Sequence, residues 1–264
     1  MKKNIKTPLC LLIILVVGFG CKTFSKLLVK NGTEFKIQIE TTESDKDAVV
    51  QRAIEITKNK LNLIKLGGEV VKDPEDATKI IVRVYGSRNL EREKKFLFTS
   101  YRMELRKIIS PANPSPVQIY PSAEAAKQVV KDDQDILPYP ERSESKEQFV
   151  IVERNMIVNG DDIRDAQAFS RSKENTEYQI SFSLKPEGAG KFGDWTGKNI
   201  GNYIAVILDK KVQSAAYIKS QIFDSGEISG RFTKEQAEDV AMSLKSGYLP
   251  ATMKILEEKP IGND

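Results

Sequence analysis

The chain has 264 residues, of which 40% are hydrophobic, and a formal net charge of +4, which suits one large domain or two small ones with an ordinary core. It contains no histidine, and this excludes His-based acid–base catalysis, Ser-His and Cys-His nucleophiles and most zinc sites. The first 20 residues carry Lys2, Lys3 and Lys6 but no acid, so without them the net charge falls from +4 to +1 and gives no electrostatic basis for nucleic-acid binding.

Residues 1–21 have the anatomy of a bacterial export signal. A basic start precedes an apolar stretch from Leu9 to Gly20, which is too short for a bilayer-spanning helix of about 20 residues. Because the stretch ends at Cys21, three outcomes are open: a lipoprotein signal with lipid on Cys21, an uncleaved signal anchor, or simple secretion. Cys10 and Cys21 are the only cysteines, so no disulfide is expected in the folded part.

Residues 30–110 show a β-α-β-β-α-β pattern. Alternating apolar residues predict a strand around Phe35 to Ile39, and apolar residues at helical spacing predict a helix over Asp45 to Ile64. The remaining predicted elements are strands at Glu69 to Lys72, Lys79 to Tyr85 and Tyr101 to Ile108, and a short helix near Leu90 to Phe98. This order predicts a ferredoxin-like unit with its helices on one sheet face.

Residues 111–148 are rich in proline and polar side chains and show little periodicity. They are predicted to form a linker or mobile excursion. Two interpretations of this segment are open, a solvated spacer and a proline-rich partner motif.

Residues 149–264 are predicted to form a second α+β unit, with helices packed on mostly antiparallel sheets. Its predicted strands are Phe149 to Val152, Tyr178 to Leu184 and Tyr203 to Leu208. Asn159 to Asp162 introduces a predicted helix that continues through Ser170. A capping box from Thr233 to Gln236 opens another helix, which Gly247 is placed to end.

The run from Gly188 to Gly193 formally matches the dinucleotide fingerprint G-x-G-x-x-G, and Asp209 ends a later strand. The run is not a phosphate loop, because Lys191 precedes Phe192 rather than Ser or Thr. The segment that follows is too short and too glycine-rich for a crossover helix between parallel strands. We therefore expect these glycines to form turns and expect no cofactor.

Two further features each have two interpretations. Asp161, Asp162 and Asp165 could bind calcium or act on a glycoside, or they could favour the dipole of a helix start. Trp195, the only tryptophan, is either a ligand-stacking ring or a packing residue. No catalytic or metal-binding residue is assigned.

An ordered string of motifs in the second half resembles the first periplasmic region of SecD, a subunit of the Sec translocon. The motifs are NGDDIRDAQAF (159–169), EGAGKFGDWTGKNIGNYIAVILD (187–209), VQSAAYI (212–218), SGEISGRFTKEQAEDVA (225–241) and LKSGYLPATMKILEEKPIG (244–262). Upstream, RAIEITKNKLNLIKLGGEVV and KIIVRVYG are similar to the base subdomain of that region. The sequence departs from the family at Ala216, where proline is usual.

The resemblance implies a base subdomain at 30–110 and a head subdomain at 149–264, without the multi-helix membrane half that carries the family's proton relay. It also implies a non-enzymatic protein on the periplasmic or extracytoplasmic face of the cell envelope, anchored to the membrane by its N-terminus. The implied partners are exported preproteins and Sec translocon components. The alternative is a lipoprotein that reuses the head fold for an unrelated envelope protein or small ligand.

The resemblance also indicates which residues should set turns or local structure. These are Gly188, Gly190, Thr196, Asn199, Gly201, Asp209, Gly226, Gly230, Thr233, Gly247 and Pro250.

Overall fold

The computed structural model describes residues 31–111, 116–140, 147–170, 177–249 and 251–262, so Cys21 and Pro250 lie outside the described residues. The strands within these ranges are β1 (Gly32–Glu40), β2 (Gly67–Lys72), β3 (Lys79–Tyr85), β4 (Met103–Ile108), β5 (Gln134–Pro138), β6 (Phe149–Asn159), β7 (Ile163–Ser170), β8 (Tyr178–Leu184), β9 (Tyr203–Leu208), β10 (Lys211–Tyr217), β11 (Ser225–Phe232) and β12 (Thr252–Ile261). The helices are α1 (Lys46–Leu63), α2 (Leu90–Phe98), α3 (Ala123–Lys127), α4 (Pro186–Lys198) and α5 (Lys234–Ser246). None of these helices is both long and apolar enough to cross a membrane.

The first sheet has the strand order β12-β1-β3-β2. Its inner face is apolar because alternate residues of β1 and β3, such as Phe35, Ile37 and Val82, are fully buried. They pack with α1 and the end of α2 in one core cluster, and the Phe35 and Phe98 rings meet edge to face at 5.2 Å between centroids. β3 lies between β1 and β2, as predicted for a ferredoxin-like arrangement.

The strand that pairs with the free side of β1 is not the one predicted from the sequence. We expected the first region to use its own last strand, Tyr101 to Ile108, but β12 from the C-terminal end of the chain takes that place. β12 pairs antiparallel with β1 from Gly32↔Ile261 to Glu40↔Thr252. Strand pairing across more than two hundred residues leaves no local pattern from which it could be predicted.

β4 belongs instead to the second sheet, whose order is β10-β9-β4-β6-β5. Met103 and Leu105 of β4 are buried in the core that the second sheet shares with the third. On the opposite face, the Arg106 guanidinium lies 2.6 Å from the Glu104 carboxylate and 2.7 Å from that of Asp135. The central position of β4 explains why both of its faces are largely buried.

The described part of the 111–148 segment is folded, so the expectation of an unstructured linker is wrong there. It contains α3 and β5, and β5 pairs with β6 from Gln134↔Glu153 to Pro138↔Phe149. Val117 and Ile119 pack against the outer face of the second sheet. Proline is compatible with this arrangement because β5 is an edge strand. The subdomain boundaries 30–110, 111–148 and 149–264 stay a prediction.

The third sheet has the order β11-β8-β7, and here the predicted helix from Asn159 to Ser170 is wrong. The Asn159 cap does form, but it closes a single 3-10 turn over Gly160–Asp162. The chain then continues as β7, which pairs with β8. Tertiary pairing therefore overrides the local helix-start signal. All pairings between the named strands are antiparallel, and the fold is the predicted α+β type.

Helix α5 matches its prediction. Thr233 accepts a hydrogen bond from the Gln236 amide at 3.2 Å, and the Gln236 side chain accepts one from the Thr233 amide at 2.9 Å. The helix ends at Gly247, whose φ of 109° favours glycine. Both predicted roles are confirmed.

Candidate binding site

The glycine-rich run lies in helix α4, so the expectation that Gly188 and Gly190 form turns is wrong. Pro186 starts the helix, a position that proline favours. A Cβ at Gly188 would lie 2.6 Å from Cβ of Asp162, whereas one at Gly190 would meet nothing within 4 Å. Close approach to the 3-10 turn therefore requires glycine only at Gly188.

The segment between β10 and β11, residues 218–224, is fastened along α4. The fully buried Thr196 donates its hydroxyl to the Phe192 carbonyl at 2.8 Å and accepts from the Ile222 amide at 3.0 Å. The Gln221 side chain lies over Gly193 and Gly197 and donates to the Gly193 carbonyl at 3.1 Å. These contacts give the segment a fixed position on the helix.

The C-terminal end of α4 is closed by the predicted motif residues Asn199 and Gly201. The Asn199 side-chain amide donates to the Trp195 carbonyl at 2.8 Å, and the Gly201 backbone amide donates to the Ile218 carbonyl at 2.9 Å. Gly201 has φ +89°, so its predicted role in a turn has a conformational basis. Trp195 packs against the core shared by the second and third sheets, which favours the packing interpretation over ligand stacking.

An apolar cleft of about 520 Å³ opens between the second and third sheets. Leu105, Ile204 and Val206 from the second sheet line it, with Phe182 from the third and Ile222 from the fastened segment. The cleft also borders β10 and β11, which are edge strands of their respective sheets. Its lining is mostly apolar, with Ser181, Ser225 and Glu227 as the polar members, and it suits apolar groups better than an anion.

Glycine at two motif positions of β11 makes room for aromatic rings. A Cβ at Gly226 would lie 2.6 Å from the Phe182 ring, and one at Gly230 would lie 2.5 Å from the Phe232 ring. Both rings pack in or against the core shared by the two sheets. Gly226 and Gly230 therefore serve the packing of these rings.

Two large apolar side chains are exposed on the outer side of the fastened segment and the adjoining end of α4. Phe223 follows the cleft-lining Ile222 and is 66% exposed, and Ile200 is 55% exposed. A rigidly presented aromatic ring is a common anchor in protein recognition. We call the cleft together with Phe223 and Ile200 the apolar docking surface.

The remaining motif residue, Asp209, has a structural role. Asp209 and Lys210 both have positive φ, 50° and 63°, as in the tight two-residue turns that join hairpin strands. The Arg102 amide donates to the Asp209 carboxylate at 2.8 Å, and the Asp209 amide donates to the Arg102 carbonyl at 2.9 Å. Burial raises the pKa of Asp209, and the hydrogen bond from Arg102 opposes that rise.

Each member of the acidic trio has a partner within the protein. Asp161 pairs with Arg52, Asp162 accepts from the Asn159 amide at 3.1 Å, and Asp165 pairs with Lys245 at 2.8 Å. In the described ranges, no group of three or more His, Cys, Asp or Glu side chains is arranged to hold a metal ion. These contacts favour the structural interpretation of the trio over calcium binding or glycoside chemistry.

Sequence reasoning missed Ile200, Ile222 and Phe223 as surface residues. The available signal was the four-residue spacing of Gly193 and Gly197, which puts two positions without side chains on one face of a helix. Such a face indicates close approach by another segment. It does not identify the segment or the side chains that remain exposed on it.

Comparison with known proteins finds similar sequences and a similar fold. A family model described as "SecDF, P1 head subdomain" matches residues 134–251. The protein translocase subunit SecD of Aquifex aeolicus (strain VF5) is 31% identical over 90% of this chain and 43% of its own length. SecD of Koribacter versatilis (strain Ellin345) is 34% identical over 82% of this chain and 40% of its own length.

A solved structure shows the same fold. It is described as "Structure and function of a membrane component SecDF that enhances protein export", and it superposes with a TM-score of 0.61 at 22% identity, covering 85% of this chain and 98% of that one. The chain spans less than half the length of the two SecD relatives. Over most of its own length it is similar to SecD proteins, and its residues 134–251 match the P1 head subdomain of SecDF.

Proposed function

We propose that the chain is a non-enzymatic protein of the cell envelope that binds exported polypeptides, alone or beside Sec translocon components, during translocation. The observation that carries the proposal is the apolar docking surface on the head. A chain in transit is unfolded and exposes apolar side chains, and an apolar cleft binds these by removing their surface from water without reading a sequence. The relatives that are named as translocase subunits support this role in export.

The way in which Phe223 is held supports recognition rather than chance exposure. The segment that bears it is fixed to α4 through Thr196 and Gln221, so little loop entropy remains to be lost on binding. Ile222, its neighbour, already lines the cleft. The cleft and the exposed Phe223 ring are therefore joined by one short segment of fixed position.

We expect Phe223→Ser to weaken binding of an unfolded, fluorescently labelled export precursor about tenfold. Loss of an aromatic anchor costs about 1–2 kcal/mol at a typical recognition surface, and tenfold corresponds to about 1.4 kcal/mol. The ring is 66% exposed, so the free energy of unfolding should change little. Fluorescence anisotropy with the full chain in detergent measures the affinity, and urea unfolding checks the stability.

Val129→Ser is the matched control, because Val129 is an apolar residue with 55% exposure outside the docking surface. It should leave the affinity unchanged, and the double variant Ile200→Ser/Phe223→Ser should bind more weakly than Phe223→Ser alone. Equal affinities for the Phe223 and Val129 variants would contradict the assignment of the site. In cells, a photo-crosslinker at position 223, but not at 129, should recover exported precursors or Sec components.

If the crosslinker recovers neither exported precursors nor Sec components under conditions that capture a complete SecD, this result favours the alternative, an unrelated envelope partner or small ligand. Pulse-chase labelling separates the two functions. Slower export of precursors after deletion of the gene supports the translocation role, and unchanged export supports the alternative.

We also propose that the protein is tethered to the membrane by lipid on Cys21. The basic, apolar and small-residue order of residues 1–21 supports this, and the tether would hold the docking surface near a membrane-bound translocon. Mass spectrometry of the mature N-terminus should show a diacyl or triacyl mass on Cys21, and Cys21→Ser should abolish it. An intact Met1, or an unmodified cleaved N-terminus, would contradict the lipid anchor.

A further inference from the structure

β11 is an edge strand, and one of its sides borders the cleft. In the described part of the chain it has a ladder partner on one side only, β8, and Ser225 and Gly226 of β11 line the cleft. Ser225 follows Phe223 by two positions, so the side away from β8, which we call the open edge of β11, continues the apolar docking surface. An edge strand presents backbone N–H and C=O groups with which another chain can pair.

The backbone groups of Ser225 point towards this open edge. The Leu184 amide donates to the Asp224 carbonyl at 2.7 Å, and the register two residues further along is Gly226↔Phe182. Hydrogen-bonded and non-hydrogen-bonded pairs alternate along an antiparallel ladder. The backbone of Gly226 therefore faces β8, as that of Asp224 does, and the N–H and C=O of Ser225 between them face away from β8.

The two faces of β11 differ in polarity at this edge. Gly226 pairs with Phe182 on the inner face, where Phe182 and Ile228 belong to the core shared by the second and third sheets. Ser225 pairs with Ser183 on the outer face and is exposed. A strand added beside β11 would continue both faces, since side chains in a strand alternate between them. Such a strand therefore needs apolar side chains at every second position and polar side chains between them.

The cleft leaves room for this strand. Its volume is about 520 Å³, and from the second sheet it is lined by Ala216 of β10 with Ile204 and Val206 of β9. Ala216 is exposed and presents only a methyl group. Because the inner faces of the second and third sheets share one core, the inner face of an added strand points towards this apolar lining.

We propose that the apolar docking surface binds extended segments whose apolar residues alternate, and that such a segment adds as a strand to the open edge of β11. Its backbone bonds to that of Ser225, and its apolar side chains enter the cleft. This inference rests on the proposed function and names its substrate class, polypeptide segments with the pattern of an amphipathic strand. Backbone bonds read no side chain, so the surface recognises a pattern and not one sequence.

Two fluorescently labelled peptides of about nine residues and identical composition test the pattern. One alternates valine and serine, and the other has the same residues permuted to helical spacing, which puts only part of the valines on one face of a strand. With the full chain in detergent, fluorescence anisotropy should show about tenfold tighter binding of the alternating peptide, because it buries more apolar surface. Equal affinities would overturn the proposed substrate class.

N-methylation of the alternating peptide tests the backbone bonds. One version is methylated at its valines and the other at its serines, so both lose donors of the same kind. Along an added strand the N–H groups point alternately towards β11 and away from it. One version should therefore lose about tenfold or more in affinity while the other binds like the parent peptide, and the sensitive set gives the strand orientation. Equal effects of the two methylations would overturn strand addition.

Hydrogen exchange at single amides, measured by NMR with and without excess alternating peptide, locates the added strand. Exchange of the Ser225 amide should slow about tenfold or more in the complex, whereas the Gly226 amide, which faces β8, should be protected in both states. Unchanged exchange at Ser225 with the peptide bound would overturn the assignment to β11.

The same peptides separate this inference from the proposed function. If the peptides bind and Phe223→Ser weakens them, but pattern, methylation phase and Ser225 exchange have no effect, strand addition is wrong and the proposed function stands. If neither the peptides nor an unfolded precursor binds, both are wrong.

Discussion

A chain that ends at residue 249 is expected to lose its first sheet. β12 pairs with β1 along the whole length of that strand, and Met253 contributes a buried side chain to the core of the sheet. Removal leaves β1 as an unprotected edge and opens the core on that side. We expect the free energy of unfolding to fall by about 5 kcal/mol or more, which is comparable with the whole stability of an ordinary domain.

Hydrogen exchange at the amides of β1 and β3, together with urea unfolding, measures this loss. A chain that ends at residue 262 is the matched control and should unfold like the full chain, since it keeps β12 intact. A synthetic peptide of residues 251–262, added in excess, should restore protection to the truncated chain. Full protection of β1 without β12 would show that the first sheet does not depend on the C-terminal strand.

Alanine substitutions at two glycines of α4, only two residues apart, are expected to change stability in opposite directions. Gly188→Ala should destabilise by about 2 kcal/mol, because its Cβ would overlap Asp162 and force the helix away from the 3-10 turn. Gly190→Ala should stabilise by about 0.5–1 kcal/mol, because the position is open and alanine is the better helix former. Urea denaturation of both variants and the wild type measures the difference.

The two substitutions serve as controls for each other, since they share the chemistry and the helix and differ in what the new methyl group meets. If both variants are more stable than the wild type, the approach of α4 to Asp162 is not tight. If both are less stable, the N-terminal part of α4 needs glycine for its backbone conformation. Near-unchanged m-values in both would confirm that the unfolded states are comparable.

Elements whose signals are local could be predicted from the sequence. Helix α5 is an example, because its capping box and its terminal Gly247 act within one turn of the helix ends. β1 is another, since its alternation directly reports a buried face. The sequence of elements from β1 to α2 along the chain and the α+β class follow from such local patterns.

Elements whose identity depends on distant partners could not be predicted. The Asn159 cap signalled a helix start that lasts only three residues, because pairing with β8 takes over at Ile163. In α4 the glycines lower the intrinsic helix propensity, yet the close approach of Asp162 needs a residue without a side chain at Gly188. β4 was located correctly, but its partners β9 and β6 lie far along the chain.

The same limit applies to the docking surface. Ile222 and Phe223 are both apolar, and the sequence does not distinguish their environments. The path of their segment along α4 determines that Ile222 lines the cleft and Phe223 faces solvent. Thr196 carried a hint as a motif residue, since a buried hydroxyl needs a partner. That partner, Ile222, lies 26 positions further along the chain.

The pairing of β1 with β12 also determines how the protein would respond to tension. The two strands are antiparallel and meet at Gly32↔Ile261, so the described chain enters and leaves the first sheet at the same end of the ladder. A force that pulls these ends apart would therefore load the hydrogen bonds one pair at a time, like a zipper, instead of shearing all of them together. The first sheet should yield at low force from that end, while the docking surface, which lies outside the loaded strands, would be spared.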